Sequence, residues 1–166
     1  SGKSTLLGLI AGVLYPTEGN ISTFSDKFGY IGATPLIFEA TIYENITYGN
    51  KTKPDNEEIL NFMKKFDLFK EDSNYDLNKM ISNKTLSSGQ MQKIAFIRAL
   101  LSDNEILLLD EATANLDKNS KKFIFELLRE RGITIINSTH DPNSFGKVDM
   151  NLKIKIEDEA RVVEII

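Results

Sequence analysis

Apolar residues recur along the chain with helical spacing in some segments and as short runs typical of strands in others. Helical spacing predicts main helices at residues 3–14, 57–69, 89–101 and 117–129, and a short one at 41–48. Short apolar runs predict strands near residues 21–24, 28–31, 105–109, 133–137, 152–156 and 162–166. Because helices alternate with buried strands, the pattern predicts an α/β fold.

Two segments of this pattern predict burial. Residues 3–14 carry apolar side chains on most sides of the predicted helix, so this helix is expected to be buried. Residues 105–109 form an unbroken apolar run before an acidic pair, as expected of a buried parallel strand. Polar segments at 51–56 and 71–86 separate the elements, and Pro54 is well placed to open a helix.

Composition narrows the classes of function. Of the 166 residues, 41% are hydrophobic and 27% charged, and the net charge is −4. These values are typical of one globular domain, and the mild negative charge argues against a general nucleic-acid binder. The absence of cysteine excludes thiol nucleophiles and cysteine-based metal sites, and the single histidine excludes a multi-histidine site. The longest apolar stretch, Leu6 to Tyr15, is too short to span a bilayer.

The first five residues match the end of a phosphate-binding loop, G-x-x-x-x-G-K-[ST], without its first glycine. They are the candidate ATP-binding residues Ser1, Gly2, Lys3, Ser4 and Thr5. In such a loop backbone N–H groups approach phosphate oxygens, the lysine reaches the β- and γ-phosphates, and the next hydroxyl, here of Ser4, ligates Mg²⁺. Taken alone, the segment also fits the capped start of an ordinary helix.

A second motif follows the buried run at 106–109. Asp110 ends this predicted strand, where a carboxylate can hold Mg²⁺ through water. Glu111 comes next and points differently, so it can orient the attacking water. Alone, the motif also fits a buried strand with a solvated acidic end, but together with a phosphate loop it favours a site that binds phosphate and Mg²⁺.

The stretch LSSGQMQKIAFIRALL, followed by LLLDEATANLD, closely resembles the nucleotide-binding domain of ATP-binding-cassette (ABC) proteins. Ser87, Ser88, Gly89 and Gln90 match the family signature L-S-G-G-Q except at Ser88. A serine hydroxyl and free N–H groups before a helix also make a phosphate site. The resemblance implies that these four residues bind ATP.

Two further segments resemble the family in the same order along the chain. Residues 114–117, ending at Asp117, resemble the D-loop, which in the family lies across a dimer interface. Residues 138–141 resemble the segment that holds the switch histidine, which implies that His140 contacts the γ-phosphate. The resemblance therefore implies Glu111 and His140 as catalytic residues and Asp117 as part of the ATP site.

The resemblance implies a P-loop NTPase fold of the ABC type. We expect one domain over residues 1–166, with a mostly parallel core sheet and a helical signature-motif subdomain at about 41–102. Family members have a few tens of residues before the position matched by Ser1, including a strand that enters the phosphate loop. We expect that missing strand to lie beside the one that ends at Asp110, and the sequence to be a fragment.

At one position this chain departs from the family pattern. Residues 30–38 align without gaps to Y-V-P-Q-x-P-x-L-F, and Ala33 stands where the family has glutamine. In the family that glutamine senses Mg²⁺ and touches the transmembrane partner. The alanine side chain forms no hydrogen bond, so we expect slower hydrolysis or altered coupling.

The segment Phe38 to Ile46 resembles the F-x-G-T-I-x-E-N-I stretch of exporters, and Tyr75-Asp76 fits the same subgroup. This implies a dimeric ABC ATPase that uses Mg²⁺ and ATP to power transport, with export favoured. The implied partners are a second ABC ATPase domain and a transmembrane domain, fused or separate, at the cytoplasmic face of the cell membrane. No nucleic-acid partner is expected.

Two other functions stay open. One is a soluble ABC ATPase without a role in transport, although the compact acidic chain shows neither basic linkers nor coiled coils. The other is an inactive nucleotide-binding remnant, which Ala33 and the absent start favour. The second alternative is opposed by the presence of all four residues expected to bind or hydrolyse ATP, Lys3, Asp110, Glu111 and His140.

Overall fold

A computed structural model describes residues 2–69, 74–140, 148–157 and 160–166. The helices are α1 (Lys3–Ile10), α2 (Ile42–Thr47), α3 (Asn56–Lys65), α4 (Ser88–Leu101) and α5 (Lys118–Glu130). The strands are β1 (Phe28–Gly32), β2 (Ala40–Thr41), β3 (Met80–Ile81), β4 (Ile106–Asp110), β5 (Thr134–Ser138), β6 (Leu152–Glu157) and β7 (Ala160–Ile165).

The central sheet has the order β1-β4-β5, and both pairings are parallel. Its register places Gly32, Asp110 and Ser138 side by side at the carboxyl ends of the three strands. Because β4 is paired on both sides, no further strand fits beside the one that ends at Asp110. The expectation of a missing strand at that position is therefore wrong.

The apolar core lies on both faces of this sheet. On one face β4 packs with α4 and α5 in the larger cluster, around Phe96, Leu107 and Leu109. On the other face Leu7 of α1 packs on Ile106 and Leu108 of β4. This arrangement fixes the start of α1 over the sheet, close to the carboxyl ends of its strands.

The predicted burial of the first helix is confirmed for one side of it alone. Leu7 is the buried residue of α1, while Ser4 and Thr5 are exposed. The helix ends at Ile10 rather than at residue 14, and Gly12 follows with a φ of 70°. A positive φ is incompatible with continuing a right-handed helix, so the chain turns there.

The described residues between 40 and 101 hold the helices α2, α3 and α4 and the short antiparallel pair β2-β3. Asn45 of α2 is fully buried, and its side chain bonds to the backbone of Phe38 and Thr41. From α4, the Nε of Arg98 donates to the carbonyl of Asn45, and its Nη2 donates to that of Leu36. These bonds fix the loop after β1 against α2 and α4.

Three details differ from the sequence-based expectations. Residues 21–24 form no strand. The third helix stops at Lys65 instead of 69, since Asp67 and Phe69 have φ values of 47° and 60°, outside the helical region. The two-residue strands β2 and β3 were not expected, because two residues are too few to show a periodic pattern.

The final strands are confirmed as the antiparallel hairpin β6-β7. Most of its residues are exposed, but its Ile154 and Arg161 lie against Gly2, so that a Cβ at position 2 would come within 2.8 Å of Arg161 Cδ. Within the described part of the chain, no helix has the length and apolar character needed to cross a membrane.

Candidate nucleotide-binding site

The carboxyl end of β4 directs two carboxylates to the sheet edge. Asp110 is the last residue of the strand, and Glu111 follows it with a φ of 55°. Left-handed backbone costs a residue other than glycine about 1 kcal/mol or more and is concentrated at functional sites. The backbone N–H of Glu111 donates to the carbonyl of Ser138 at 3.0 Å, which holds this turn against β5. The carboxylate of Asp110 contacts β1 and that of Glu111 contacts the residue two beyond β5, so the two side chains diverge.

His140 lies two residues beyond the end of the neighbouring strand β5 and meets Glu111 there. The distance between His140 Nε2 and Glu111 Oε1 is 2.8 Å. Both side chains remain accessible, with 75% of the imidazole and 40% of the carboxylate exposed. The structure thus brings the two predicted catalytic residues together.

The start of α1 lies at the same edge. Gly2 is its N-cap with a φ of 89°, which glycine adopts readily, and no side chain caps the first turn. The first N–H groups of α1 therefore remain available to an anion. Lys3 Nζ donates to the carbonyl of Thr139 at 3.5 Å, next to His140. Ser1, also predicted to bind ATP, lies outside the described residues, as does Asp141 of the histidine segment.

Tyr30 of β1 reaches Asp110 from the other side. Its hydroxyl donates to Asp110 Oδ2 at 3.2 Å. Partial burial and the negative charge of Asp110 raise the pKa of the Tyr30 hydroxyl, which therefore stays protonated and able to donate. The sequence analysis did not identify Tyr30 as part of the site.

The oxygen donors at this edge suit Mg²⁺. A hydroxyl, that of Ser4, and a carboxylate, that of Asp110, are the hard ligands that Mg²⁺ prefers alongside phosphate and water. Ser138 pairs with Asp110 in the sheet, and its buried Oγ has no hydrogen-bond partner. An unpaired polar atom at this position fits a site that takes up a hydrated ion. Among the described residues no cluster of three or more acidic or histidine side chains forms a metal site by itself.

The signature residues lie at the start of α4. Ser87 is the N-cap, and Ser88, Gly89 and Gln90 form the first turn. Ser87 Oγ accepts from the N–H of Gln90 at 3.2 Å, while Gln90 Oε1 accepts from the N–H of Ser87 at 2.9 Å. This reciprocal pair, a capping box, explains why the helix begins there. No hydrogen bond or ion pair within the described chain joins this group to Lys3 or Asp110.

Residues 114–117, the segment that resembles the D-loop, lie against the signature turn. A Cβ at Gly89 would come within 3.2 Å of the carbonyl oxygen of Asn115, so the signature turn and this segment are in close contact. Asp117 is the N-cap of α5. Hydrogen bonds from the hydroxyl and the N–H of Ser120 lower the pKa of the Asp117 carboxyl. The observed role of Asp117 in this chain is thus to start α5.

Ala33 is exposed just beyond β1. Its carbonyl accepts from Nε2 of the buried Gln92 at 3.4 Å, which ties the loop to α4. The other amide atom, Gln92 Oε1, is buried without a partner. The backbone of the loop is therefore fixed, whereas position 33 offers no polar side chain.

Comparison with known proteins identifies the family of this chain. Residues 1–114 match the family model described as ABC transporter. The probable iron export ATP-binding protein FetA of Escherichia coli is 33% identical over 167 residues, which cover 89% of this chain and 72% of that protein. The chain belongs to the ABC transporter family. Its sheet, phosphate loop and signature helix form an ABC-type ATPase fold, as the sequence predicted.

Other relatives of this ABC domain are much longer. The lactococcin-A transport/processing ATP-binding protein LcnC of Lactococcus lactis is 33% identical, and the chain spans 25% of its length. For ABC transporter B family member 13 of Arabidopsis thaliana the identity is again 33%, and the chain spans 14% of the protein. A solved structure of a bacterial Atm1-family ABC exporter with ATP bound has a TM-score of 0.79 at 26% identity, covering 91% of this chain and 29% of that one.

Proposed function

We propose that this ABC domain binds and hydrolyses Mg²⁺-ATP to power export of a substrate across a membrane. The observation that carries the proposal is the convergence of Lys3, Asp110, Glu111 and His140 at the carboxyl edge of one parallel sheet. In open α/β sheets this edge is where ligands bind. A positive side chain and free N–H groups for phosphate thus lie beside the carboxylates needed for hydrolysis.

Each residue has a distinct part in the proposed reaction. Lys3 and the first turn of α1 offset the charge of the β- and γ-phosphates. Glu111 orients the attacking water, and its contact with His140 fixes the carboxylate in place. His140 also offers a hydrogen bond to the γ-phosphate. Ser4 and Asp110 would hold Mg²⁺, which supplies positive charge next to the phosphates when it is bound.

The proposed partner at the site is a second ABC ATPase domain. Within the described chain the signature turn at 87–90 is joined to residues 114–117 and not to the phosphate loop. We propose that Ser87 and Gly89 of one domain face the ATP held by Lys3 and Ser4 of the other, with Asp117 near the interface. Closure of the two domains then completes the site, and hydrolysis releases it.

The relatives support the proposed direction and location of transport. FetA is named as a probable iron export protein and the similar solved structure as an exporter, which supports export and a transmembrane domain as second partner. The domain would then act at the cytoplasmic face of the membrane. A soluble ABC ATPase and an inactive remnant remain the alternatives, and Ala33 is the feature that favours the remnant.

The test is Glu111→Gln in the natural full-length protein. Turnover should fall by at least about 100-fold, the usual contribution of a positioned acid–base group, while ATP binding persists. Glu130→Gln is the matched control, because Glu130 is an exposed glutamate at the end of α5. Undiminished turnover in Glu111→Gln would refute the assigned role, and ATP binding without turnover in the wild type would favour the remnant.

A further inference from the structure

We propose that Tyr30 positions the Asp110 carboxylate for Mg²⁺. The Tyr30 hydroxyl engages Oδ2, and Oδ1 would then be the oxygen available to the hydrated ion. This inference rests on the proposed function, in which Asp110 takes part in holding Mg²⁺. Tyr30 is a positioning residue in this scheme, because it acts on the ion through Asp110.

The contact follows from the register of the sheet. Tyr30 pairs with Leu108, two residues before Asp110 on β4. Two residues span about 6.6 Å along a strand, which is within reach of a tyrosine side chain lying along the strand direction. The hydroxyl accordingly reaches Asp110 Oδ2 at 3.2 Å.

Gly32 leaves space for the Tyr30 side chain to reach Asp110. It is the last residue of β1 and lies on the same face as Tyr30, and a Cβ there would come within 3.4 Å of Tyr30 Cε1. The ring therefore passes over a position without a side chain. A larger residue at position 32 would compete with the ring for this space.

The groups around Asp110 indicate that Tyr30 is the residue that positions its carboxylate. Within the described chain, Tyr30 is the residue that donates a hydrogen bond to the Asp110 carboxylate. On the opposite strand Ser138 is 6% exposed, and its Oγ has no partner. Ala33, three residues after Tyr30, offers no polar side chain. The polar group that β1 contributes to this edge is thus the phenol of Tyr30.

The test compares Tyr30→Phe with wild type in the natural full-length protein. Affinity for a non-hydrolysable ATP analogue is measured in EDTA and over a Mg²⁺ titration. In EDTA the affinities should agree within about twofold, whereas half-saturation by Mg²⁺ should need about fivefold more ion in the variant, the effect of one lost hydrogen bond. Tyr15→Phe is the matched control, since Tyr15 is 87% exposed and should leave both values unchanged.

The outcomes separate this inference from the function on which it rests. An unchanged Mg²⁺ titration in Tyr30→Phe would overturn the role of Tyr30. So would an equal loss of affinity with and without Mg²⁺, because that result marks a structural role. Asp110→Asn tests the function itself: if it leaves the Mg²⁺ dependence intact, the assignment of Asp110 to the metal has failed. If Asp110→Asn changes the Mg²⁺ dependence and Tyr30→Phe does not, the positioning role of Tyr30 is overturned and the assignment of Asp110 to the metal is kept.

Discussion

His140 Nε2 lies 2.8 Å from Glu111 Oε1, and this contact joins the ends of two neighbouring parallel strands. The left-handed backbone of Glu111 turns its carboxylate toward β5, and the bond from its N–H to the carbonyl of Ser138 fixes that turn. In the proposed reaction, each of the two side chains then depends on the other for its position.

This dependence predicts that the effects of Glu111→Gln and His140→Ala on turnover are not additive. We expect each single variant to lower kcat by at least about 100-fold, and the double variant to lie within a few-fold of the slower one. Single-turnover ATP hydrolysis by the full-length protein measures all three. Multiplicative effects would show that the two residues act independently, and the contact would then carry no function.

Ala33 predicts a gain of function. Ala33→Gln restores the amide that the family has at this position, next to the edge with Asp110. We expect ATPase turnover to rise by up to about fivefold, the effect of one net hydrogen bond of about 1 kcal/mol. Ala160→Gln, at the exposed start of β7, is the control for adding an amide. Equal turnover in Ala33→Gln and wild type would contradict the expectation of slowed hydrolysis.

Asn45→Ala should destabilise the domain by ~2 to 4 kcal/mol. The buried amide of Asn45 accepts from the N–H of Phe38 and donates to the carbonyls of Phe38 and Thr41. Removing it takes away the partner of the Phe38 N–H and of the Phe38 carbonyl, at about 1–3 kcal/mol for each buried group.

The measurement for this variant is the free energy of unfolding from urea titrations. Asn61→Ala is the matched control, because Asn61 is exposed on α3 and alanine favours helices. Asn45→Asp separates the two functions of the amide, since it keeps the acceptor and loses the donor. A value for Asn45→Ala close to that of the control would show that the loop after β1 is not held by Asn45.

Asp117 makes stability depend on pH in the acid range. The bonds from Ser120 hold the pKa of the Asp117 carboxyl below its usual value in the folded state. Its contribution is therefore complete above the unfolded pKa of about 3.9 and is lost as pH falls through the lower folded pKa. Asp117→Asn keeps a good helix cap without a titrating group.

Urea midpoints at pH 6 and pH 3 test this prediction. We expect Asp117→Asn to match wild type at pH 6 and to lose less stability between the two pH values. Asp117→Ala should lose about 1 kcal/mol at pH 6, because α5 is then uncapped. The same acid sensitivity in Asp117→Asn and wild type would exclude Asp117 as its source.

For most of the chain the sequence predicted correctly whether a segment is a helix or a strand. It predicted the first and last residues of these elements less accurately. The core strand 106–110 and the helix from Ser88 were clear because their apolar patterns are long and their ends are marked by an acidic pair and a capping box. The end of α3 depends instead on the left-handed residues Asp67 and Phe69, which neither composition nor spacing indicates. Residues 21–24 resembled a strand, but among the residues that the structure describes no strand pairs with them.

The family could be recognised from the sequence, and so could the residues proposed for phosphate binding and catalysis, because these depend on local spacing of specific side chains. Which of these residues meet depends on the tertiary structure. The order β1-β4-β5 places Ser138 and Gly32 on either side of Asp110, excludes another strand there, and brings the Tyr30 hydroxyl to the carboxylate. Pairing between strands nearly 80 residues apart is set by the packing of the whole core, so a local pattern does not contain it.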